Sequence, residues 1–194
     1  MRESGGPEGV SEPKIKGVVF SSVFDTIAVV KSEAFRQQVR GAIDGELAEA
    51  LDTGLIVAPG WYPLAWYRQM WGVIRRFDPS DELVREVGRV SMELDFKVYH
   101  KLILRMLKPA TVMRIAQRVY GRYLDTGGVE LVEQGPRFIR ARWAGVAGFD
   151  ETLWMEHLSG AEHLVRLAAG DTTKLRVIAG GRDGDPHAEV EATW

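Results

Sequence analysis

Two stretches decide the fold: Ile139-Arg140-Ala141-Arg142-Trp143, and Ala188-Glu189-Val190-Glu191-Ala192-Thr193-Trp194. In each, apolar residues alternate with charged or polar ones, the period of a strand that buries one face and wets the other. Two more stretches share the habit. One is Val129-Glu130-Leu131-Val132; in the other, Leu175, Val177 and Ala179 alternate with Arg176 and, less cleanly, with Ile178. Four such strands predict an antiparallel sheet covered on one side. Arginines on one strand and glutamates on another suit cross-strand pairing on the wet face, worth about 0.2–1 kcal/mol a pair.

Outside these strands the period is helical. A helix from about Asp150 to Ala168 separates the second strand from the third and buries Leu153, Trp154, Leu158, Ala161, Val165 and Ala168. Upstream, Phe24, Ile27, Val30, Ala34, Val39 and Ile43 recur at helical spacing, and Gly17-Val18-Val19-Phe20 reads as a strand or a helix entry. A short helix covers Glu46 to Leu51. Pro63 then precedes a helix lined by Trp66, Met70, Val73, Ile74 and Phe77. Ser80 or Asp81 caps the next, whose stripe runs Leu83, Val84, Val87, Val90, Leu94, Val98, Leu102, Met106. After Lys108-Pro109 a further helix carries Val112, Ile115, Ala116, Val119, Tyr120 and Tyr123, and Asp125-Thr126-Gly127-Gly128 stops it. The expected fold class is therefore α+β, a helical layer packed on one face of a C-terminal antiparallel sheet of about four strands. Residues 1–14 read as a flexible leader. Residues 15–194 read as one domain, helical over 15–127 and sheet-containing over 128–194.

Composition narrows the classes. The chain has 194 residues, 45% hydrophobic and 27% charged, which excludes a disordered chain. No apolar run reaches the ~20 residues of a membrane span, and Met1 to Pro13 carries no apolar secretion core, so the expected location is cytoplasmic. Cysteine is absent, which removes disulfides, thiolate metal sites, cysteine catalysis and S-palmitoylation. A net charge of −2 implies no particular partner. Residues 68–122 hold 12 Lys/Arg against 6 Asp/Glu, and residues 147–194 hold 4 against 9. Arg114, Arg118 and Arg122 form a basic stripe along one helix face, a surface for an acidic partner or a solvated face; nucleic acid is not expected.

Catalytic motifs do not appear. There is no phosphate-binding glycine loop, no GxSxG elbow and no spaced Ser, His and Asp. His157 and His163 lie six residues apart, about 600° around a helix, and do not make a zinc pair. Gly180-Gly181-Arg182-Asp183-Gly184-Asp185-Pro186 reads as a hairpin loop rather than a calcium loop. No metal is expected. His100, between Tyr99 and Lys101, is either a packed boundary histidine or a lone axial ligand to haem iron. Trp61-Tyr62-Pro63-Leu64-Ala65-Trp66-Tyr67, followed by Trp71, is the densest aromatic run. It closes a ligand cavity, forms an interface or plugs the core.

Gly17-Val18-Val19-Phe20, Trp61-Tyr62-Pro63 with Tyr67, and the helical block make the chain similar to a myxobacterial paralogous family of unknown function. Residues Val129 to Trp194 resemble, in layout, the 4-vinyl reductase domain and the small subunits of the TRAPP tethering complex. The features that carry this second resemblance are Asp150-Glu151-Thr152-Leu153-Trp154, Gly160-Ala161-Glu162, Gly170, and Glu191-Ala192-Thr193-Trp194. The resemblance implies the architecture shared by haem–nitric oxide sensors and Golgi-transport ligand-binding domains, which bind small hydrophobic ligands, haem or partner proteins and dimerise. The chain lacks the cysteine of the acylated TRAPP subunits and the Tyr-x-Ser-x-Arg motif of the haem sensors. The leading expectation is thus a non-enzymatic ligand-binding or adaptor domain in bacterial signalling, without a cofactor, acting as a homodimer or with a partner protein. Trp61, Tyr62, Trp66, Tyr67, Trp71, His100 and Tyr120 are its ligand or interface residues. The alternative is a haem-dependent gas sensor with His100 as axial ligand.

Overall fold

The computed structural model describes residues 12–95 and 106–194. The expected α+β class is what it shows. Among the described residues the order is β1 (Lys14–Lys16), α1 (Gly17–Val30), α2 (Glu33–Gly41), α3 (Gly45–Asp52), β2 (Trp61–Pro63), α4 (Leu64–Phe77) and α5 (Asp81–Asp95), then α6 (Pro109–Tyr120), β3 (Gly128–Gly135), β4 (Phe138–Ala144), α7 (Glu151–Ala169), β5 (Lys174–Gly180) and β6 (His187–Thr193). No helix among them is long and apolar enough to cross a membrane.

Local chemistry sets the helix ends. Ser32 caps α2 by accepting from the Phe35 amide, and Asp150 caps α7 by accepting from the Leu153 amide at 2.9 Å. Asp78 accepts from the Ser80 amide and hydroxyl, which poises Ser80 to accept from the Leu83 amide as α5 begins. Lys31 pairs with Asp78 at 2.6 Å, and these partners hold its carboxyl down at about 2. Pro109 opens α6, where its missing amide hydrogen costs nothing. The Gly17-to-Phe20 run, left open between strand and helix, is the first turn of α1. A small sheet was not foreseen: β1 pairs antiparallel with β2, Ile15 opposite Tyr62.

The C-terminal sheet is antiparallel in the order β3-β4-β6-β5. Its register sets Ile139 opposite Ala192, Ala141 opposite Val190 and Trp143 opposite Ala188, all buried beneath the helices. The opposite face is ionic. Arg140 pairs with Glu191 and Glu133, Arg142 with Glu189 and Glu130, and Arg176 with Glu191. Two sequence expectations fail here. Val177 and Ile178 are both substantially exposed, because β5 is an edge strand with a bulge between Val177 and Ala179 that breaks the alternation. Of the stripe expected after Pro109, Ile115 in α6 and Tyr123 just beyond it are exposed, and α6 buries Val112, Met113 and Tyr120.

Helices α5 and α7 cross with their backbones in contact. A Cβ on Gly88 would sit 2.1 Å from the Glu156 carbonyl oxygen, and one on Gly160 would sit 3.1 Å from the Gly88 carbonyl oxygen. Glycine at both positions permits this approach. Helix α1 joins α5 through a buried Thr26–Ser91 hydroxyl pair at 3.0 Å. α7 is thereby wedged between the N-terminal helices on one side and the sheet on the other. Val98 and Leu102, expected in the helical stripe after Asp95, lie outside the described residues.

Candidate functional site

The aromatic run splits in space. Tyr67 and Trp71 are core residues of α4. Trp61 is exposed, with the Lys16 ammonium 4.1 Å from its ring centre. Tyr62 donates to the Leu55 carbonyl and accepts from the Val57 amide, pinning the loop before β2, and it stacks on Trp66. These five rings do not converge on one cavity. Tyr67 is edge-on to Phe20, and its hydroxyl donates to Glu156 Oε1 at 2.9 Å. Arg114, Arg118 and Arg122 are exposed; Arg114 reaches the Gln134 side-chain oxygen at 3.4 Å. His100 lies outside the described residues.

Another cluster assembles in the seam where α6 and α7 face β4. Tyr120 comes from α6, Trp143 from the buried face of β4, Phe149 from the loop before α7, and Trp154 and His157 from α7. His157 is the centre: the rings of Trp143, Tyr120 and Phe149 lie 5.6, 5.8 and 6.0 Å from it, all edge-to-face. Phe149 also packs on Trp154 at 4.9 Å. Among the described residues, Tyr120 Oη, Trp143 Nε1 and Trp154 Nε1 are buried with no hydrogen-bond partner.

Successive residues on a helix point about 100° apart, so α7 presents Glu156 to α4 and His157 to the seam. Both residues are half-buried. Burial pushes the Glu156 carboxyl up to about 7, against the opposing pull of the Tyr67 hydrogen bond. Burial pushes the His157 imidazole down to about 4, so it is neutral at physiological pH. Burial also raises the Tyr120 phenol, which stays protonated and a donor.

Clefts flank this seam. One of about 590 Å³, between α7 and the β5–β6 hairpin, is lined by Trp154, Leu158, Leu175, Val177, Arg182 and His187 among others. A second of about 470 Å³, between α5 and α7, is lined mainly by charge, including Arg85, Glu86, Arg89, Glu162 and Arg166. A third of about 360 Å³ opens between α1 and α2. None of the three is lined by Trp61, Tyr62, Trp66, Tyr67 or Trp71.

Sequence reasoning placed Tyr120 among the site residues and Trp143 and Trp154 in the core, but gave His157, Phe149 and Glu156 no role. The available signal was local. Trp154 and His157 share one helix face, three residues apart, opposite a strand whose inward positions include Trp143.

No family model matches the chain, and no curated protein does. Solved structures do. A point variant of the ferrous, unliganded H-NOX protein from K. algicida aligns with a TM-score of 0.65 at 12% identity, over 92% of this chain and 96% of that one. A structure described as modulating haem redox potential through protein-induced porphyrin distortion aligns at 0.63 and 12%, over 93% and 100%. The oxygen complex of an oxygen-binding H-NOX domain related to soluble guanylate cyclases aligns at 0.60 and 11%, over 92% and 94%. At such identities the likeness is one of fold.

These neighbours overturn the resemblance to the 4-vinyl reductase domain and the TRAPP subunits. The residues that suggested it serve general needs: Asp150 caps α7, Leu153 and Trp154 fill the core, Gly160 admits α5, and Gly170 adopts a φ of 104° where α7 ends. The expectation of a domain without a cofactor is corrected with it, since these neighbours are haem-binding H-NOX proteins. The helical and sheet layers of this chain are those of the H-NOX fold.

Proposed function

We propose that this chain is a haem-binding sensor domain for a diatomic gas, without enzymatic activity of its own. The observation that carries the reading is the seam: an imidazole ringed by aromatic side chains, with buried polar tips that have no partner among the described residues, within a fold shared with haem proteins.

The residues present suit a haem. Such a group needs flat apolar walls, polar contacts for its rim and an axial donor. Trp143, Phe149 and Trp154 supply aromatic wall. Tyr120 Oη and the indole N–H groups of Trp143 and Trp154 have hydrogen bonds to give. An imidazole would hold the iron, and His100 is the residue we assign to that role. A haem bound here would supply iron with an open position for a gas. The protein's part is to exclude water, orient the ring system and pass strain along α7, which touches both the sheet and the N-terminal helices. The tight α5–α7 crossing gives that strain a stiff path.

Reconstitution tests the reading. Purified protein mixed with hemin and desalted should retain a Soret band, and His100→Ala should lose or shift it. A colourless wild-type protein refutes the proposal.

A further inference from the structure

We propose that Tyr120 and Trp143, beside His157, form the polar wall of the ligand site, and that the hydrogen bonds their Oη and Nε1 lack in the protein alone are made to acceptor groups on the rim of the ligand. The inference rests on the haem reading, and the ligand class it names is a planar, largely apolar ring system with polar groups at its edge.

The burial argues first. Tyr120 is 6% exposed and Trp143 is 2% exposed, yet the hydroxyl of one and the indole N–H of the other meet no partner among the described residues. Native proteins leave only a few such groups per hundred residues, and each calls for an explanation. Here two flank one imidazole, 5.8 and 5.6 Å from it ring to ring. The chemistry argues next. The Tyr120 hydroxyl can donate and the Trp143 indole N–H can only donate, and both rings pack edge-to-face on His157. Two donors from different elements, α6 and β4, thus sit unpartnered in one aromatic cluster. If they served packing alone, phenylalanine or leucine would do so at lower cost. Trp154, whose N–H is likewise unpartnered, lines the 590 Å³ cleft and links the seam to the surface.

Tyr120→Phe removes one oxygen and keeps the ring. Two probes separate rim from iron: hemin, and protoporphyrin IX, which has the rim without the metal. The expected result is a loss of about tenfold in affinity for both, the scale of one hydrogen bond made only with ligand. The ligand-free variant should melt a few °C higher than wild type, because a buried unsatisfied hydroxyl is gone. A merely structural tyrosine would give the opposite sign in melting. Wild-type affinity for both porphyrins in the variant, or a lower melting temperature, overturns the wall and leaves the haem reading standing. Weakening of hemin alone places Tyr120 at the iron and also overturns it. Wild-type protein that binds protoporphyrin IX but not hemin, with the Tyr120 effect intact, supports the wall while ending the haem reading. Failure of wild type to bind either porphyrin ends both.

Discussion

Glu156 and His157 are neighbours on α7 whose titrations oppose each other, and separating them is a strong test of the structure. Glu156 has its pKa raised by burial from 4.5 to about 7. Between these values the unfolded chain has released a proton that the folded protein keeps, so the contribution of Glu156 is fully present below pH 4.5 and is lost as pH rises to 7. His157 has its pKa lowered from 6.5 to about 4. Between these values the unfolded chain binds a proton that the folded protein refuses, so its contribution is present above pH 6.5 and lost as pH falls to 4. At about 1.4 kcal/mol per pH unit, each effect amounts to at most about 3 kcal/mol. From pH 4.5 to 6.5 they run in opposite directions and nearly cancel. Urea unfolding at half-unit steps from pH 4 to 8 reads the balance. Glu156→Gln leaves the histidine uncompensated, so the variant should lose stability relative to wild type as pH drops from 6.5 to 4.5. His157→Phe leaves the acid uncompensated, so that variant should lose it as pH rises over the same span. The other strongly shifted carboxyl, Asp78, titrates near 2, below the window. Profiles of both variants parallel to wild type between pH 4.5 and 6.5 would refute the opposed shifts of these two groups.

The helix crossing and the two faces of the sheet give further expectations. Gly88→Ala forces a methyl group to within 2.1 Å of the Glu156 carbonyl oxygen unless the helices part, and it should cost about 3 kcal/mol or more by urea unfolding. On β4, adjacent residues face opposite fates. Trp143→Ala should cost about 3–5 kcal/mol, whereas Arg142→Ala, which removes an exposed pair with Glu130 and a part-buried one with Glu189, should cost about 1 kcal/mol and fade with added salt.

The sheet was legible because its chemistry is local. Strict alternation put Ile139, Ala141 and Trp143 on one face and Arg140 and Arg142 on the other, and β6 repeats the pattern in register. The alternation failed on β5, where an edge position and a bulge after Val177, which leaves no period of its own in the sequence, leave both Val177 and Ile178 exposed. Ring density decided less. Five aromatic residues within eleven positions left cavity, interface and core open, and α4 sends Tyr67 and Trp71 into the core while Tyr62, stacked on Trp66, pins the loop before β2 and Trp61 stays exposed. A helix turns its residues through every direction in one turn, so crowding along the chain says little about meeting in space. The seam is the reverse case. Tyr120, Trp143 and His157 span 38 positions on two helices and a strand, and only the packing of α6 and α7 on β4 joins them.

The position of α7 explains why a ring system bound at this seam, rather than in the charged cleft, would have consequences. The 470 Å³ cleft is lined by opposed charges, whose stripping of water an apolar ligand could not offset. The seam is walled by aromatic rings instead. Anything that moves His157 must also move Glu156, because the two share one helical turn, and Glu156 is tied to Tyr67, which packs edge-on against Phe20 of α1. The carbonyl of that same Glu156 rests against Gly88 of α5. A displacement at the aromatic wall therefore cannot be absorbed locally: with no slack at the glycine crossing, close packing hands it to α1, α4 and α5 together.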